Sequence, residues 1–410
     1  MTYRSCFVAA MLLTTLAPPF ATAANAVEQL RDFLKAPAVK RGDVAEQPFA
    51  AVPLTKAEAE AAATLLRDDR LATLRTERAA EWTDKALVRG DKTMRFNTKS
   101  FGTKPAGGWN LLIVLHGGGN TQPAVNDQQW SGMHTLYTPT NTLTIAPRAP
   151  TDTWNLWHEP HIDPMLDRLI EDAVLFGGVD PDHVYLTGYS AGGDGVYQLA
   201  PRMADRFAAA AMMAGHPNDA SPLSLRNLPF AIHVGALDAA YRRNDVARDW
   251  GGKLDALQKS DPAGYTHQVQ LHDGRGHWMN REDATAIGWM QTFARQATPK
   301  KIVWEQGNVP HDRFYWLAVP TGQAKRGQLI VASREGQTVT IQQAKGVPAV
   351  RLLLGDEAFD LDKPLRVVMN GRDIYYGTPP RKIADLDRSI ADRPVDSHIA
   401  AASVLIELPR

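Results

Sequence analysis

The segment Gly188–Gly192 (GYSAG) constrains the fold of this chain more than any other stretch. The apolar run Val184–Thr187 precedes it, and small residues with helical spacing follow it from 191 to 203. This order predicts a strand, a sharp turn and a helix, with Ser190 at the tip of the turn. A strained turn around a serine leaves no room for side chains two residues before or after it, which explains the two glycines. The segment therefore predicts a nucleophilic serine.

Apolar runs alternate with helical segments across the middle of the chain. The runs predict strands at residues 92–97, 110–115, 143–146, 184–187, 207–213, 230–234 and 267–271. Helices are predicted near residues 124–136, 163–176, 191–204, 243–258 and 281–296. The alternation predicts an α/β fold with a doubly wound, mainly parallel sheet. In such sheets the functional site lies at the carboxyl ends of the strands.

A glycine-rich turn, His116–Gly119, follows the strand that ends at Leu115. Glycines there let backbone N–H groups of Gly117 and Gly118 approach a bound oxyanion, and the N–H of Ala191 offers a second donor. A phosphate loop is the alternative. The sequence lacks both the G-x-x-x-x-G-K-[ST] and the G-x-G-x-x-G patterns, which disfavours it.

An acid and a base follow the serine along the chain, each after an apolar run. Asp238 lies just beyond the strand that ends at Val234, where a carboxylate can orient a base, and Asp245 is the fallback acid. His277 lies in a glycine-rich loop after the last strand, with His272 as its competitor. The order Ser, Asp, His is that of one hydrolase architecture and differs from the two convergent ones.

Together, the segments Gly188–Gly192, His116–Gly119, Gly235–Asp238 and Gly274–His277 resemble the α/β-hydrolase superfamily over roughly residues 90 to 297. Within it the chain is similar to exported bacterial esterases grouped with polyhydroxybutyrate depolymerases and feruloyl and acetylxylan esterases. It is also similar to relatives labelled as predicted prolyl-oligopeptidase-type peptidases or phospholipase/carboxylesterases. The resemblance implies the nucleophile Ser190, the base His277, the acid Asp238, and oxyanion donors near Gly117, Gly118 and Ala191. Family members differ in which glycine donates.

Aromatic residues near these segments are candidates for substrate contacts. Trp154 and Trp157 lie in the loop after the strand that ends at Ala146, and Trp278 and Tyr189 flank the base and the nucleophile. The alternative is that the tryptophans plug their loops against the core. Residues 214–229 are too few for a helical cap, so we expect a site open to solvent. Such a site suits a bulky or polymer-attached ester.

Neither a cofactor nor a nucleic-acid partner is expected. The chain has 45 basic and 45 acidic residues among 410, so no charge excess attracts a polyanion. His158, His161 and Asp163 cluster in one loop, but they lack the spacing of a known metal motif. The one cysteine, Cys6, lies in the N-terminal segment, which excludes a cysteine nucleophile farther along the chain.

The N-terminus has the pattern of an export signal, residues 1–23. Arg4 supplies the positive charge, Phe7–Leu16 the apolar segment, and Ala21–Ala23 the small-residue cleavage site. The apolar segment is too short to span a membrane. We therefore expect a periplasmic or secreted protein.

The remaining divisions follow from composition and turn signals. A strap and a long helix that begins at the capping box Thr55–Glu58 are predicted for residues 24–90. The catalytic domain is predicted for residues 91–298. Short strands separated by Gly, Pro, Asp and Asn predict a small β-sandwich-like domain for residues 299–410.

Three functions fit these observations. The first is a carboxylesterase, the second a serine peptidase on the same triad, and the third a non-catalytic binding protein with a degenerate hydrolase domain. The intact motifs disfavour the third. The sequence indicates neither the acyl group nor the oligomeric state.

Overall fold

A computed structural model describes residues 23–409. Helix α1 (Ala23–Leu34) and three short 3₁₀ turns lead to the long helix α2 (Lys56–Asp84). The predicted capping box is present, since Glu58 N donates to Thr55 Oγ1 over 3.3 Å and Thr55 N donates to Glu58 Oε2 over 2.9 Å. Helix α1 was not predicted. The predicted export signal lies outside the described residues, apart from Ala23.

A sheet of eight strands forms the centre of the fold, in the order β1-β2-β4-β3-β5-β6-β7-β8. Its strands are β1 (Ala86–Arg89), β2 (Lys92–Phe101), β3 (Trp109–Leu115), β4 (Thr142–Pro147), β5 (Val179–Tyr189), β6 (Ala209–Met213), β7 (Phe230–Gly235) and β8 (His267–His272). The pairs β1–β2 and β2–β4 are antiparallel, and every other pair is parallel. The doubly wound, mainly parallel sheet is confirmed.

Helices cover both faces of this sheet. They are α3 (Pro123–Ser131), α4 (Ile162–Asp172), α5 (Ala191–Arg202), α6 (Arg243–Ser260) and α7 (Thr285–Met290). Successive side chains of a strand point to opposite faces. Accordingly, Ile113 lies in one buried cluster and its neighbours Leu112 and Val114 in another. Burial on both sides explains why β3 is continuously apolar. Helix α7 is much shorter than the predicted helix at 281–296.

Two further sheets follow toward the C-terminus. The strands are β9 (Lys301–Glu305), β10 (Arg313–Phe314), β11 (Leu317–Ala318), β12 (Leu329–Glu335), β13 (Thr338–Lys345), β14 (Ala349–Leu354), β15 (Leu365–Met369), β16 (Arg372–Gly377) and β17 (Ala402–Glu407). They form a four-stranded sheet, β10-β11-β14-β17, and a five-stranded sheet, β16-β15-β13-β12-β9. The small C-terminal β domain is confirmed. It also carries a helix that was not predicted, α8 (Ile383–Asp392), which packs against α2.

Buried contacts join the C-terminal sheets to the central domain. Arg295 donates to Asp182 Oδ1 over 2.9 Å and to Asp396 Oδ1 over 2.6 Å. Tyr315 Oη donates to the carbonyl of Ala204 over 2.9 Å, and Trp316 is fully buried. The buried aromatic residues Phe314, Tyr315 and Trp316 therefore pack the junction. No helix within residues 23–409 is both long and apolar enough to cross a membrane.

Candidate active site

Ser190 occupies a strained turn between β5 and α5. Its backbone has φ 59° and ψ −119°, a region that non-glycine residues rarely adopt, and it caps the N-terminus of α5. Its N–H donates to the carbonyl of Met213 over 2.9 Å, which fixes the turn against β6. A Cβ on Gly188 would collide with the carbonyl of Gly192, and a Cβ on Gly192 would collide with the carbonyl of Leu115. Both glycines are therefore required sterically.

Three predicted side chains meet at this turn. His277 Nε2 lies 2.9 Å from Ser190 Oγ, and His277 Nδ1 lies 2.7 Å from Asp238 Oδ2. Asp238 is buried, whereas the imidazole is 43% exposed. These distances permit proton transfer from the hydroxyl to the ring, with the carboxylate holding the ring.

The two competing residues lie elsewhere. Asp245 is on the exposed side of α6, where it pairs with Arg248 at 3.1 Å. His272 is buried at the end of β8, and its Nε2 lies 3.1 Å from His233 Nδ1. Neither residue makes a hydrogen bond with Ser190 or His277 among the described residues.

Tyr189 fixes the loop that carries His277, a role that sequence reasoning missed. Its hydroxyl donates to the carbonyl of His277 over 2.8 Å and accepts the N–H of Met279 over 2.9 Å. Burial raises the pKa of Tyr189, so the hydroxyl stays protonated. The two hydrogen bonds hold the backbone from the His277 carbonyl to the Met279 N–H against the end of β5.

The turn His116–Gly119 lies beside the serine. A Cβ on Gly117 would lie 3.1 Å from Ser190 Cβ, and Gly118 has φ 107°. His116 Nε2 accepts the N–H of Ala149 over 3.1 Å, so Nδ1 carries the proton and donates to the carbonyl of Gly117 over 2.6 Å. Burial lowers the pKa of His116 to about 4, which keeps the ring neutral.

This hydrogen bond orients the peptide bond between Gly117 and Gly118. In a trans peptide the N–H points opposite to the carbonyl, so the N–H of Gly118 points away from His116. Ala191 is the first residue of α5, and its N–H therefore has no acceptor within the helix. The positive end of the helix dipole lies at the same place. Both groups suit a bound anion.

Asn126 supports the turn and was not predicted. It is fully buried; its Oδ1 accepts the N–H of Gly119 over 2.9 Å, and its Nδ2 donates to Asp152 over 2.6 Å. A Cβ on Gly118 would collide with this Oδ1. Asparagine in α3 carries no sequence signal for such a contact, because its partners lie in other loops.

Ser190 after β5, Asp238 after β7 and His277 after β8 follow the predicted order at the carboxyl edge of the sheet. The chain has the α/β-hydrolase fold. A scan of protein-family models gave no match, and neither did a comparison with curated proteins.

Solved structures that share part of this fold include three esterases or depolymerases. A thermostable esterase is 16% identical with a TM-score of 0.38, over 51% of this chain and 62% of its own, which is less than two thirds of its length. An acetyl xylan esterase from Paenibacillus sp. R4 is 12% identical with a TM-score of 0.33, over 49% and 80%. A poly(3-hydroxybutyrate) depolymerase from Bordetella parapertussis is 14% identical with a TM-score of 0.37, over 51% and 87%. Each match covers about half of this chain.

The predicted aromatic residues divide into two groups. Trp154 is 62% exposed and Trp278 is 50% exposed, and both line cavities beside Ser190. Trp157, in contrast, is fully buried, and its Nε1 donates to the carbonyl of His116 over 3.0 Å. The expectation that Trp157 contacts substrate is therefore wrong, and Trp157 instead supports the glycine-rich turn from the buried side.

Two cavities flank Ser190. The apolar cavity has a volume of about 480 Å³, and its walls include Val125, Met133, Leu136, Tyr189, His277 and Trp278. The polar cavity has a volume of about 330 Å³, and its walls include Asn120, Trp154, Asp194, His216, Tyr241 and Arg243. Both contain Ser190 and Gly118 in their lining. Residues 214–229 form only a short 3₁₀ turn at Leu223–Asn227, so no helical cap covers the site.

The loop histidines and Asp163 do not form a metal site. Asp163 accepts from Arg202 over 2.7 Å and lies 2.7 Å from His311 Nε2, so its oxygens are occupied. Within residues 23–409 there is no group of three or more side chains that could hold a metal ion.

Proposed function

We propose that this chain is a serine hydrolase that cleaves carboxylic esters through an acyl-enzyme. The observation that carries the proposal is the continuous contact from Asp238 through His277 to Ser190, beside two donors for an oxyanion. His277 removes the proton of Ser190 Oγ, and the alkoxide attacks the ester carbonyl. Asp238 holds the imidazole tautomer and stabilises its cation.

The tetrahedral intermediate places its negative oxygen between the N–H groups of Gly118 and Ala191, with Gly117 as the alternative donor. Loss of one such donor typically lowers the rate by about 10²–10³. His277 then protonates the leaving alcohol, and water attacks the acyl-enzyme by the same steps in reverse. This chemistry needs no cofactor.

The site is open, and two exposed tryptophans flank it. Trp154 and Trp278 offer flat apolar surfaces, one in each of the two cavities that Ser190 lines. An open cleft of this kind accommodates a substrate larger than its cavities. We therefore propose a bulky or polymer-attached ester as the substrate.

Export of the protein is part of the proposal. The charged and apolar pattern of residues 1–23 supports it. Residues 24–90 then form a strap and helix, residues 91–298 the catalytic domain, and residues 299–410 the β domain.

The experiment compares wild-type protein with Ser190→Ala on a short-chain p-nitrophenyl ester. Loss of a triad nucleophile lowers kcat by roughly 10⁶, so no enzymatic turnover is expected. Ser260→Ala is the matched control, because Ser260 is exposed near the end of α6. Turnover retained by Ser190→Ala removes that residue from the mechanism.

A second comparison separates the esterase from the peptidase. Wild-type protein is given acetylated or feruloylated sugars and, in parallel, peptide amides. A higher kcat/KM for the esters is expected, and a clear preference for the amides would reverse the assignment.

A further inference from the structure

Arg243 is a largely buried cation beside the proposed nucleophile, and it makes few hydrogen bonds of its own. Its side chain is only 11% exposed and lines the polar cavity. Its Nε is buried and has no hydrogen-bond partner within residues 23–409. Its Nη1 makes one long hydrogen bond, 3.4 Å, to the carbonyl of Ala240. Buried charged groups are normally well hydrogen-bonded, so this guanidinium has donors left for a ligand.

The acids around Arg243 do not complete its hydrogen bonding. Asp238 Oδ1 lies 3.8 Å away, beyond hydrogen-bond distance, and that carboxylate is engaged with His277. Asp194, which also lines the cavity, makes neither a hydrogen bond nor an ion pair with Arg243 in the described part of the chain. Its Oδ1 accepts the N–H of His216 over 2.6 Å.

The backbone before Arg243 is strained. Tyr241 has φ 54° and Arg242 has φ 56°, two consecutive left-handed positions without a glycine. Such positions are unfavourable for residues with a Cβ and persist only where the surroundings enforce them. The Tyr241 ring lies 4.8 Å from the guanidinium carbon, so this segment directs both side chains to the cavity.

Other walls of the polar cavity also supply donors. His216 Nδ1 accepts the N–H of Asn218 over 3.0 Å, so in the neutral ring the proton is on Nε2. Asn120 and Asn218 carry amide groups. Asp194 is the one acid among the cavity's lining residues, and burial raises its pKa.

The position of His277 decides which half of an ester enters which cavity. His277 must protonate the leaving oxygen, so the leaving group extends along the wall that contains this imidazole. That wall belongs to the apolar cavity, and the polar cavity's lining does not include His277. The acyl group therefore occupies the polar cavity.

We infer that the preferred acyl group carries a carboxylate at its far end, bound by Arg243, so that the substrates are monoesters of dicarboxylic acids. This inference rests on the proposed function. The planar fork of arginine binds a carboxylate through two parallel hydrogen bonds. A cavity of about 330 Å³ has room for a short carbon chain that ends in this group.

The test compares the 4-methylumbelliferyl monoester of adipic acid with 4-methylumbelliferyl hexanoate. The two acyl chains have equal length and differ in their terminal group, and the leaving group is the same. The kcat/KM ratio of the two is measured for wild type, Arg243→Gln and Arg243→Lys, after subtraction of spontaneous hydrolysis. A substitution of Arg243 that disturbs the nearby Asp238 changes kcat/KM for both esters alike, so this disturbance cancels in the ratio. Arg242→Gln is the matched control, because it removes the same charge from a side chain that is 74% exposed.

Wild-type protein is expected to prefer the adipate monoester by about ten- to a hundredfold, the strength of a charge-assisted hydrogen bond. Arg243→Gln abolishes the preference, Arg243→Lys keeps part of it, and Arg242→Gln leaves it unchanged. Equal kcat/KM values in the wild type, or a preference that survives in Arg243→Gln, overturn the inference and leave the proposed function standing. Failure to hydrolyse either ester overturns the proposed function and this inference with it.

A second substrate pair tests the assignment of the halves. Hexanoate esters of 3-hydroxybenzoate and 3-hydroxybenzamide place the charge on the leaving group instead. Little difference between them is expected. A preference for the benzoate that depends on Arg243 would place the anion site on the leaving-group side and contradict the acyl assignment.

Discussion

Replacing Tyr189 with phenylalanine tests how the imidazole is held. The substitution removes one hydroxyl and keeps the ring, which packs edge-on against His277 with centroids 6.0 Å apart. Two hydrogen bonds are lost at once, the one donated to the His277 carbonyl and the one accepted from Met279 N. Both belong to the loop that positions the base.

The expected magnitude follows from the burial of these groups. Met279 is fully buried, so its N–H would be left without a partner, at a cost of about 1–3 kcal/mol. The lost bond to the His277 carbonyl adds about 1 kcal/mol. A loop that is looser by this amount leaves the imidazole misplaced for part of the time. The two losses sum to about 2–4 kcal/mol, and each 1.4 kcal/mol corresponds to a factor of about ten, so we expect kcat to fall by about thirtyfold to several hundredfold.

The assay measures kcat and KM on a small p-nitrophenyl ester, together with urea unfolding. KM is expected to stay within about threefold, because the ring of Tyr189 still lines the apolar cavity. Tyr185→Phe is the matched control. Tyr185 is also buried on the same strand, and its hydroxyl donates to the carbonyl of Phe293 over 2.9 Å, away from the site.

The control is expected to lose stability and to keep its kcat. A kcat for Tyr189→Phe within twofold of the wild type would refute the reasoning. Equal losses of kcat in Tyr189→Phe and Tyr185→Phe would also refute it, because the effect would then be one of general stability.

Three further predictions concern stability and substrate size. Burial lowers the pKa of three histidines, to about 4 for His116 and His158 and about 3 for His233, from the ordinary 6.5. The free energy of unfolding should therefore be unaffected by these histidines above pH 6.5 and should fall between pH 6.5 and pH 3–4, by up to about 1.4 kcal/mol per pH unit for each histidine, because the unfolded chain binds the protons more readily. Equal urea midpoints at pH 7.5 and 5.0 would contradict this. Gly195→Ala would place a Cβ 2.5 Å from Trp157 Cβ and should lower the free energy of unfolding by about 1–3 kcal/mol. Gly252→Ala is the control, because open space surrounds Gly252, and it should not lower the stability. Similar melting temperatures for the two variants would be inconsistent with the packing. Trp278→Ala should raise KM about tenfold for esters with a large apolar leaving group and little for ethyl esters, and an equal change for both would argue against contact with the leaving group.

Local sequence signals were sufficient where a residue's place depends on its own strand. Ser190, Asp238 and His277 each follow an apolar run, and the structure brings them within hydrogen-bond distance at one edge of the sheet. Their roles as nucleophile, acid and base stay predictions until activity is measured. The capping box at Thr55 likewise depends on residues three apart and was confirmed.

Contacts between distant segments were not predictable in this way. Tyr189 and Met279 are 90 positions apart, and nothing local indicates that the tyrosine hydroxyl reaches this loop. The sequence does not show which way a tryptophan in a loop points, which is why Trp157 was wrongly included among the candidates for substrate contact. Arg243 carries no motif, and only its burial and its missing hydrogen-bond partners single it out.

Covalent labelling with a fluorophosphonate tests the central claim most directly. The reagent phosphonylates a serine only where a base activates it and donors stabilise the resulting oxyanion. Active wild-type protein is expected to take up one equivalent on the peptide that contains Ser190, with loss of activity in proportion. Fully active protein that remains unlabelled, or a label found on another residue, would contradict the account.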